Sequence, residues 1–582
     1  MGGLSSLKKY FFRYKKKLLL GMLFILISNS AEVYIPILLK NGIDAIQSGI
    51  NYDSILRYSL MIVGAALVSG IFRFLIRQTI IVISREIEYD LRQDFWEHIQ
   101  KLTLRYFQNN STGNIMAHAT NDISAVRMFI GPAFMYSIDT GTKFIIIIAI
   151  MLTMGWELTL YTLLPLPFLS FFVYKLSKKI HKKFTKIQEK FSELTTKAQE
   201  NFSGIRVIKA YGREKSQING FTNLSFDYLN RKMDMVKIQA AFQPILYIIS
   251  GVSIIIVIWA GGRMVINGTM TIGEITAFVI YLGMLIWPMI AFGWILNIIQ
   301  QASASMRRLN KIFSEEVEIK DSEKTSFAVN SIKGNIEFRN VSFRFSENLP
   351  FVLKNIDLKI PNGSTVAVIG HTGVGKTALV NLIPRLYDVT EGEILIDGIN
   401  VKKIPLKILR KSIGMVPQET FLFSDSLANN ILYGSGKENM EKVDEVSRIS
   451  QLENDVENFP KGFETVLGER GITLSGGQKQ RTSLARALAI DPKILILDDS
   501  FSAVDTNTEE EILKNLKEFM KERTSIIISH RISTVKDADK IMVLHEGKIV
   551  EEGTHLELIS KEGIYADLHY KQQLEEELKD LN

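Results

Sequence analysis

Six stretches of the chain stay apolar for about the 20 residues that a helix needs to cross a bilayer: Leu18–Leu39, Ser59–Ile83, Phe129–Met154, Leu158–Tyr174, Ala241–Ala260 and Ile272–Ile299. Two long charged segments, Ser84–Met128 and Lys175–Ala240, separate the second span from the third and the fourth from the fifth. Their scarcity of Gly and Pro predicts helices that run on past the apolar spans. Each is broken once by a turn-prone patch, at Asn109-Asn110-Ser111-Thr112-Gly113 and at Ser203-Gly204 leading to Tyr211-Gly212-Arg213-Glu214. Two roles are open for these segments: solvated connectors, or tips that dock on another domain and transmit motion. After residue 330 the pattern changes to short β-type runs, beginning with Ile336-Glu337-Phe338. The expected organisation is an all-α domain of six transmembrane helices over residues 1–312, a polar linker over 313–333, and an α/β domain over 334–582.

Composition agrees with that division. With 582 residues, 46% of them hydrophobic, and a mean hydropathy of +0.11, the chain is too long and too apolar for a single soluble domain. A charged fraction of 23% with 13 prolines also excludes a low-complexity or disordered chain. The absence of cysteine excludes disulfides, thiolate metal sites and cysteine nucleophiles. The net charge of +7 is divided unequally. Residues 1–330 carry 37 Lys and Arg against 23 Asp and Glu, and residues 331–582 carry 32 against 39. Because the basic excess sits beside long apolar runs, it reads as membrane topology rather than nucleic-acid binding.

Lys8, Lys9, Arg13, Lys15, Lys16 and Lys17 precede the first span, and Lys175, Lys178, Lys179, Lys182, Lys183, Lys186 and Lys190 follow the fourth. The alternate loops carry only Lys40, Arg57 and Arg263 near their ends. This asymmetry predicts a chain in the cytoplasmic (inner) cell membrane with both termini in the cytoplasm. The first span imitates a signal peptide up to Asn29-Ser30-Ala31, but its apolar run resumes through Val33, Ile35 and Ile37–Leu39, as a membrane helix does. Ionisable groups inside spans need a partner or a purpose. Asp139 and Lys143, four apart, can neutralise each other, whereas Glu32, Arg73 and Arg77 have no sequence-local partner. They either pair between helices or line a water-filled cavity. Pro36, Pro165, Pro167 and Pro288 permit kinks in these spans.

The α/β part carries the candidate chemistry. Thr365–Ile369 reads as a buried strand, followed by Gly370-His371-Thr372-Gly373-Val374-Gly375-Lys376-Thr377. This is a complete G-x-x-x-x-G-K-T phosphate loop in its strand-to-helix context. Gly370, Gly373 and Gly375 let backbone N–H groups curl around phosphate oxygens, Lys376 reaches the β- and γ-phosphates, and the Thr377 hydroxyl binds Mg²⁺. A second apolar strand, Ile494–Leu497, ends in Asp498-Asp499, where a carboxylate can hold Mg²⁺. Between the two lies Leu474-Ser475-Gly476-Gly477-Gln478 at a predicted helix start, able to offer N–H groups and a hydroxyl to another phosphate. The eight histidines are scattered without ligand spacing, so no metal beyond Mg²⁺ is indicated.

In this order and spacing the motifs resemble those of an ATP-binding cassette exporter half-transporter, with one membrane domain fused to one P-loop NTPase domain. The resemblance extends over nearly the whole chain. It implies that Leu474–Gln478 is the family signature and that Gln418, in Val416-Pro417-Gln418, senses the γ-phosphate, contacts the membrane domain and takes part in Mg²⁺ binding. It further implies that His530, in Ser529-His530-Arg531, is the switch histidine, that Ser502–Asp505 forms the D-loop, and that Gly468-Glu469 resembles the loop that contacts the cytoplasmic tips. On that reading the two tips are docking elements.

Three positions depart from the family pattern. The ring that stacks on adenine is usually Tyr and here is Phe345, which keeps the aromatic face. His371 stands in the phosphate loop where small or polar residues are usual. Asp499 occupies the place of the catalytic glutamate, one methylene or about 1.5 Å short, so hydrolysis at this site is expected to be slow. The resemblance therefore points to the degenerate-site subunit of a heterodimer, with a homodimer as the alternative. The partner half-transporter would supply the competent glutamate, and Ser475, Gly477 and Gln478 would complete the partner's site. The expected function is ATP-driven, multidrug-type export of amphipathic or hydrophobic cargo. A lipid flippase and an ATP-gated channel or sensor remain as alternatives, and six spans exclude a soluble nucleic-acid repair ATPase.

Overall fold

Five helical stretches among the described residues are long and apolar enough to cross a membrane: Lys15–Gln47, Tyr52–Ile99, Thr112–Met154, Glu214–Ile266 and Ile272–Phe313. The structure, a computed structural model, describes residues 3–49, 52–436, 439–468, 471 and 474–580. The expected fourth span is corrected from one helix to two, Trp156–Leu163 and Leu166–Ser203, separated by Leu164 and Pro165. Pro165 and Pro167 carry no N–H, so the helical hydrogen-bond ladder cannot run through them.

Contacts divide the chain into two units, Met1–Ile99 with Gly113–Glu315 and Gln100–Thr112 with Glu316–Asn582. The first charged segment breaks at its Asn-rich patch, where Asn110 turns to extended backbone, and once more before it. The helix Val82–Ile99 stops before Gln100, and a short helix, Leu104–Asn109, follows. The second segment breaks where expected, with Gly204 and Tyr211-Gly212-Arg213 separating Leu166–Ser203, Ile205–Ala210 and Glu214–Ala240. Gly212 takes φ +59°, which suits glycine, and Tyr211 is exposed.

In the first unit Ile272–Phe313 forms the centre. Its N-terminus is fixed by a reciprocal cap between Thr271 and Glu274, which satisfies two otherwise orphaned N–H groups. It buries Phe278, Tyr281 and Leu285 among Val33, Ile147, Met151 and Leu158, and the Tyr281 hydroxyl donates to the Val33 carbonyl at 2.8 Å. The intramembrane charges pair between helices. Glu32 bonds Arg73, and Lys143 lies 2.9 Å from Glu32 and 3.4 Å from Asp139. Glu32 and Arg73 thus pair between helices, and together with Arg77 they line a cavity.

A second charge network ties the N-terminal segment to Val82–Ile99. Lys9 and Tyr10 donate to Asp94, both at 2.6 Å. Arg13 and Tyr14 donate to Asp90 at 2.8 and 3.1 Å, and Lys17 donates to Glu86 at 2.9 Å. Three of the six basic residues that precede the first span are thus also ion-pair partners.

The second unit holds ten strands among the described residues. β1 (Ile336–Phe343), β2 (Leu353–Ile360), β4 (Glu391–Ile396) and β5 (Ile399–Asn400) form an antiparallel sheet in the order β2-β1-β4-β5. The other sheet runs β10-β9-β3-β8-β7-β6. Its strands are β3 (Thr365–Ile369), β6 (Ile413–Val416), β7 (Ile494–Asp498), β8 (Thr524–Ile528), β9 (Lys540–His545) and β10 (Lys548–Gly553). All neighbours except β9 and β10 are parallel. Both faces of β7 are buried, as a near-continuous Ile/Leu run requires.

Candidate functional site

Four adjacent parallel strands, β3, β8, β7 and β6, deliver the sequence-predicted residues to one edge. In open parallel sheets the carboxyl ends of the strands are where ligands bind. β3 leads into the phosphate loop, and β7 ends on Asp498 and leads into Asp499. β8 leads to His530, and β6 leads to Gln418, which is exposed just beyond the strand. The registers Val416↔Leu497 and Asp498↔Ile528 align these exits. The Asp499 N–H donates to the Ile528 carbonyl at 2.9 Å, fixing Asp499 in the left-handed region at φ +47°.

Gly370, Gly373 and Gly375 all have positive φ. At Gly370 a Cβ would lie 2.4 Å from the Leu544 carbonyl oxygen, so backbone closeness as well as conformation demands glycine. Lys376 is buried, and its ammonium donates to the carbonyls of Gly370 at 2.7 Å and His371 at 3.0 Å. Burial lowers its pKa, against the pull of Asp499 and Asp498. Asp498 is 1% exposed. Burial raises its pKa and Asp499 adds to this, while the Thr377 hydroxyl and the Lys376 charge pull it back. Its Oδ2 has no hydrogen-bond partner. A buried carboxylate oxygen left open beside Thr377 suits a hard cation such as Mg²⁺. His530 is pushed below the ordinary imidazole value by burial, with Lys376 and His371 adding and Asp499 opposing. These mutual influences place Lys376, Asp498, Asp499 and His530 in one electrostatic cluster.

Phe345 lies in the β1–β2 connection, edge-on to Phe343 at 5.0 Å and to Tyr387 at 5.5 Å. The connection returns beside the phosphate loop, since a Cβ on Gly375 would meet Val352 and Leu353 at 3.0–3.1 Å.

The signature stands on a different element. Leu474 is buried, and Ser475 caps the helix Gly476–Ala489 in a reciprocal box with Gln478, whose side-chain amide also donates to Asp455 at 3.0 Å. Gly476 and Gly477 pack against Ala503, where any Cβ would come within 3.0–3.2 Å. Leu474–Gln478 and Lys376 thus belong to separate parts of this unit. Gly468 is described, whereas Glu469 lies outside the described residues.

Two glutamines escape the sequence reading. Gln480 donates to the Ser502 hydroxyl at 2.8 Å and accepts from the Ala503 N–H at 2.9 Å, tying the D-loop to the signature helix. Gln572, on the helix Ile564–Asp580, donates to the His530 carbonyl at 2.5 Å and accepts from the Ile532 N–H at 2.8 Å. Buried Glu509 holds the same turn through Arg531 and Thr534. Gln480 had a signal, a polar residue two after the signature. Gln572 had none, because 42 residues separate it from His530.

A family model for the ABC transporter transmembrane region matches residues 18–289, and one for the ABC transporter matches residues 353–502. A multidrug resistance-like ATP-binding protein of Buchnera aphidicola subsp. Schizaphis graminum is 35% identical over 99% of both chains. An ATP-dependent lipid A-core flippase of Syntrophus aciditrophicus is 35% identical over 96% of this chain and 92% of its own. Among solved structures, a bacterial Atm1-family ABC exporter with ATP bound aligns with a TM-score of 0.78 and 25% identity, over 96% of this chain and 98% of that one.

Proposed function

The chain belongs to the ABC transporter family as an exporter with membrane region and transport-coupled ATPase in one polypeptide, and on that premise we propose that it is one half of an unequal dimer exporting amphipathic or hydrophobic cargo. The carrying observation is Asp499, which follows a fully formed phosphate loop and Walker-type strand yet is one methylene shorter than the family's glutamate.

In this reading the backbone of residues 370–375 and Lys376 grip the ATP phosphates. The Lys376 ammonium, held on two carbonyls of its own loop, exchanges them for phosphate oxygens. Phe345 offers its ring to adenine, and His530, kept neutral by its surroundings, reaches toward the γ-phosphate end. Thr377, Asp498 and Gln418 would hold Mg²⁺, which when bound screens the phosphate charge. Asp499 orients water poorly because a general base must reach the proton it takes. Leu474, Ser475, Gly476, Gly477 and Gln478, on their separate helix, face the phosphates of a second half-transporter's site. Tips 100–112 and 211–214 carry closure of the nucleotide domains to the membrane helices. The basic clusters orient both termini to the cytoplasm, with Trp156–Leu163 and Leu166–Ser203 counted together as the fourth of six spans.

The test is ATPase activity of the full chain reconstituted alone and with a glutamate-bearing half-transporter. We expect slow turnover alone and at least about a tenfold gain on pairing. Vigorous turnover alone that Asp499→Asn abolishes would overturn the unequal-dimer reading in favour of a homodimer. Vesicle assays with labelled phospholipid against labelled amphipathic drugs separate a flippase, the activity named for the Syntrophus relative, from a drug exporter.

A further inference from the structure

The first unit contains a cavity of about 610 Å³ whose wall combines five ionisable residues, Glu32, Arg73, Arg77, Asp139 and Lys143, with Phe74, Met135, Tyr136, Met284 and Trp287. Its charges do not balance. Both carboxylates are engaged: Glu32 by Arg73 and Lys143, and Asp139 by Lys143. Against two negative groups stand three positive ones, and the one left over is Arg77. Among the described residues no hydrogen bond or ion pair reaches its side chain. It sits where the helix Tyr52–Ile76 passes into a π-type turn, Arg77–Ile81, a geometry often found at functional positions. Three residues on, Ile80 is buried against Gly21, where a Cβ would come within 2.6 Å. The turn is thus packed through Ile80, while Arg77 lines the cavity.

Arg77 is exposed at this cavity; a guanidinium within a membrane span without a counter-charge is costly, and its planar fork matches carboxylate, sulfonate or phosphate oxygens. The neighbouring Phe74, Met284 and Trp287 are apolar surfaces that suit an acyl or aromatic body; Phe74 and Trp287 are exposed. We infer that this cavity is a recognition site for amphiphiles with an anionic headgroup, the headgroup bound by Arg77 and the apolar part held by the aromatic and methionine wall. The inference rests on the exporter reading only for its consequence, that such molecules are the cargo; the binding site stands on the cavity itself. Glu32, already doubly paired, would not be available to a cationic amphiphile.

The test uses the full-length protein in nanodiscs of zwitterionic lipid and a matched pair of probes, dansyl-undecanoic acid and its methyl ester, titrated by fluorescence against empty nanodiscs. The acid should bind at least about tenfold tighter than the ester, the range of a charge-assisted hydrogen bond. Arg77→Gln should reduce that preference to below about twofold, and Arg77→Lys should retain most of it. Arg57→Gln, remote from the cavity lining, controls for bulk attraction and should keep the full preference. Equal binding of acid and ester by the unaltered protein would overturn the inference, and needs no variant to fold. A preference that survives Arg77→Gln would overturn it too. Mass spectrometry of co-purified lipid identifies the source of the anion. Acidic phospholipid enriched on the protein and lost in Arg77→Gln supports a bilayer ligand, and acid preference without such enrichment supports a soluble amphiphile. ATP-driven uptake of the same acid into vesicles tests export separately. Arg77-dependent binding without uptake would sink the transport reading and leave the site in place.

Discussion

Glu32 in the first unit and Lys376 in the second are both charged groups in apolar surroundings, and they are satisfied differently. Glu32 sits between Arg73 and Lys143, permanently compensated by side chains from two other helices. Lys376 has no carboxylate bonded to it among the described residues. It rests on two carbonyls of its own loop, while Asp498 nearby keeps one oxygen unbonded. The first arrangement holds helices together, and the second keeps groups free for a ligand. The lowered Lys376 and raised Asp498 pKa values fit the second arrangement, because burial without a dedicated partner disfavours the charged form.

The strongest way to break this contrast is Lys376→Ala, which should lower ATP affinity about 10²-fold with little change in melting temperature, read by nucleotide binding and thermal unfolding on one sample. Loss of fold instead of binding would make Lys376 structural. Glu32→Gln should do the opposite, lowering stability by about 1–3 kcal/mol with ATP affinity unchanged, since it removes the carboxylate that Arg73 and Lys143 share. Equal stability would mean that the membrane charges are already solvated.

A smaller effect sharpens the ligand-ready side. Gln572→Ala, which frees the His530 carbonyl and the Ile532 N–H, should slow ATP turnover of the assembled transporter about three- to tenfold. The depressed His530 pKa contributes stability that is present above about pH 6.5, the ordinary imidazole value, and lost as pH falls through the depressed value. Releasing the turn should therefore move the acid limb of the pH–rate profile upward, toward 6.5. An unmoved limb would limit Gln572 to packing. Smallest of all, Asp94→Asn should cost about 0.2–1 kcal/mol, and the loss should shrink as salt rises. A cost independent of salt would place this exposed pair with the buried ones.

Legibility in the sequence followed the same division. The phosphate loop could be read because eight consecutive residues after a buried strand leave little freedom, and the Ile494–Leu497 run was visible because both of its faces are apolar. Cap geometry at Ser475 was likewise local. What escaped was long-range or backbone-driven. Glu32 meets Arg73 and Lys143 from three segments, and Gln572 meets His530 across 42 residues. The interrupted fourth span shows the limit of hydropathy, since 158–174 is apolar throughout while Pro165 and Pro167 withhold the N–H groups a continuous helix requires. The first cytoplasmic segment is interrupted at the Asn-rich patch, at Asn110, but also where no turn signal stands, since the helix before it ends at Ile99.

The N-terminal charge network has a further consequence. Its carboxylates at positions 86, 90 and 94 and its basic residues at 17, 13 and 9 repeat at the same four-residue interval on helices of opposite direction. A slide by one helical turn, about 5.4 Å, re-forms two of the three rungs with new partners of the same sign, whereas half a turn breaks all three. The spacing thus favours discrete stops over continuous sliding along the gripped helix, Val82–Ile99, which ends before residues 100–112. A slide of the N-terminal segment along that helix is therefore favoured in whole turns, a stepwise displacement of the kind that packed helices use to switch.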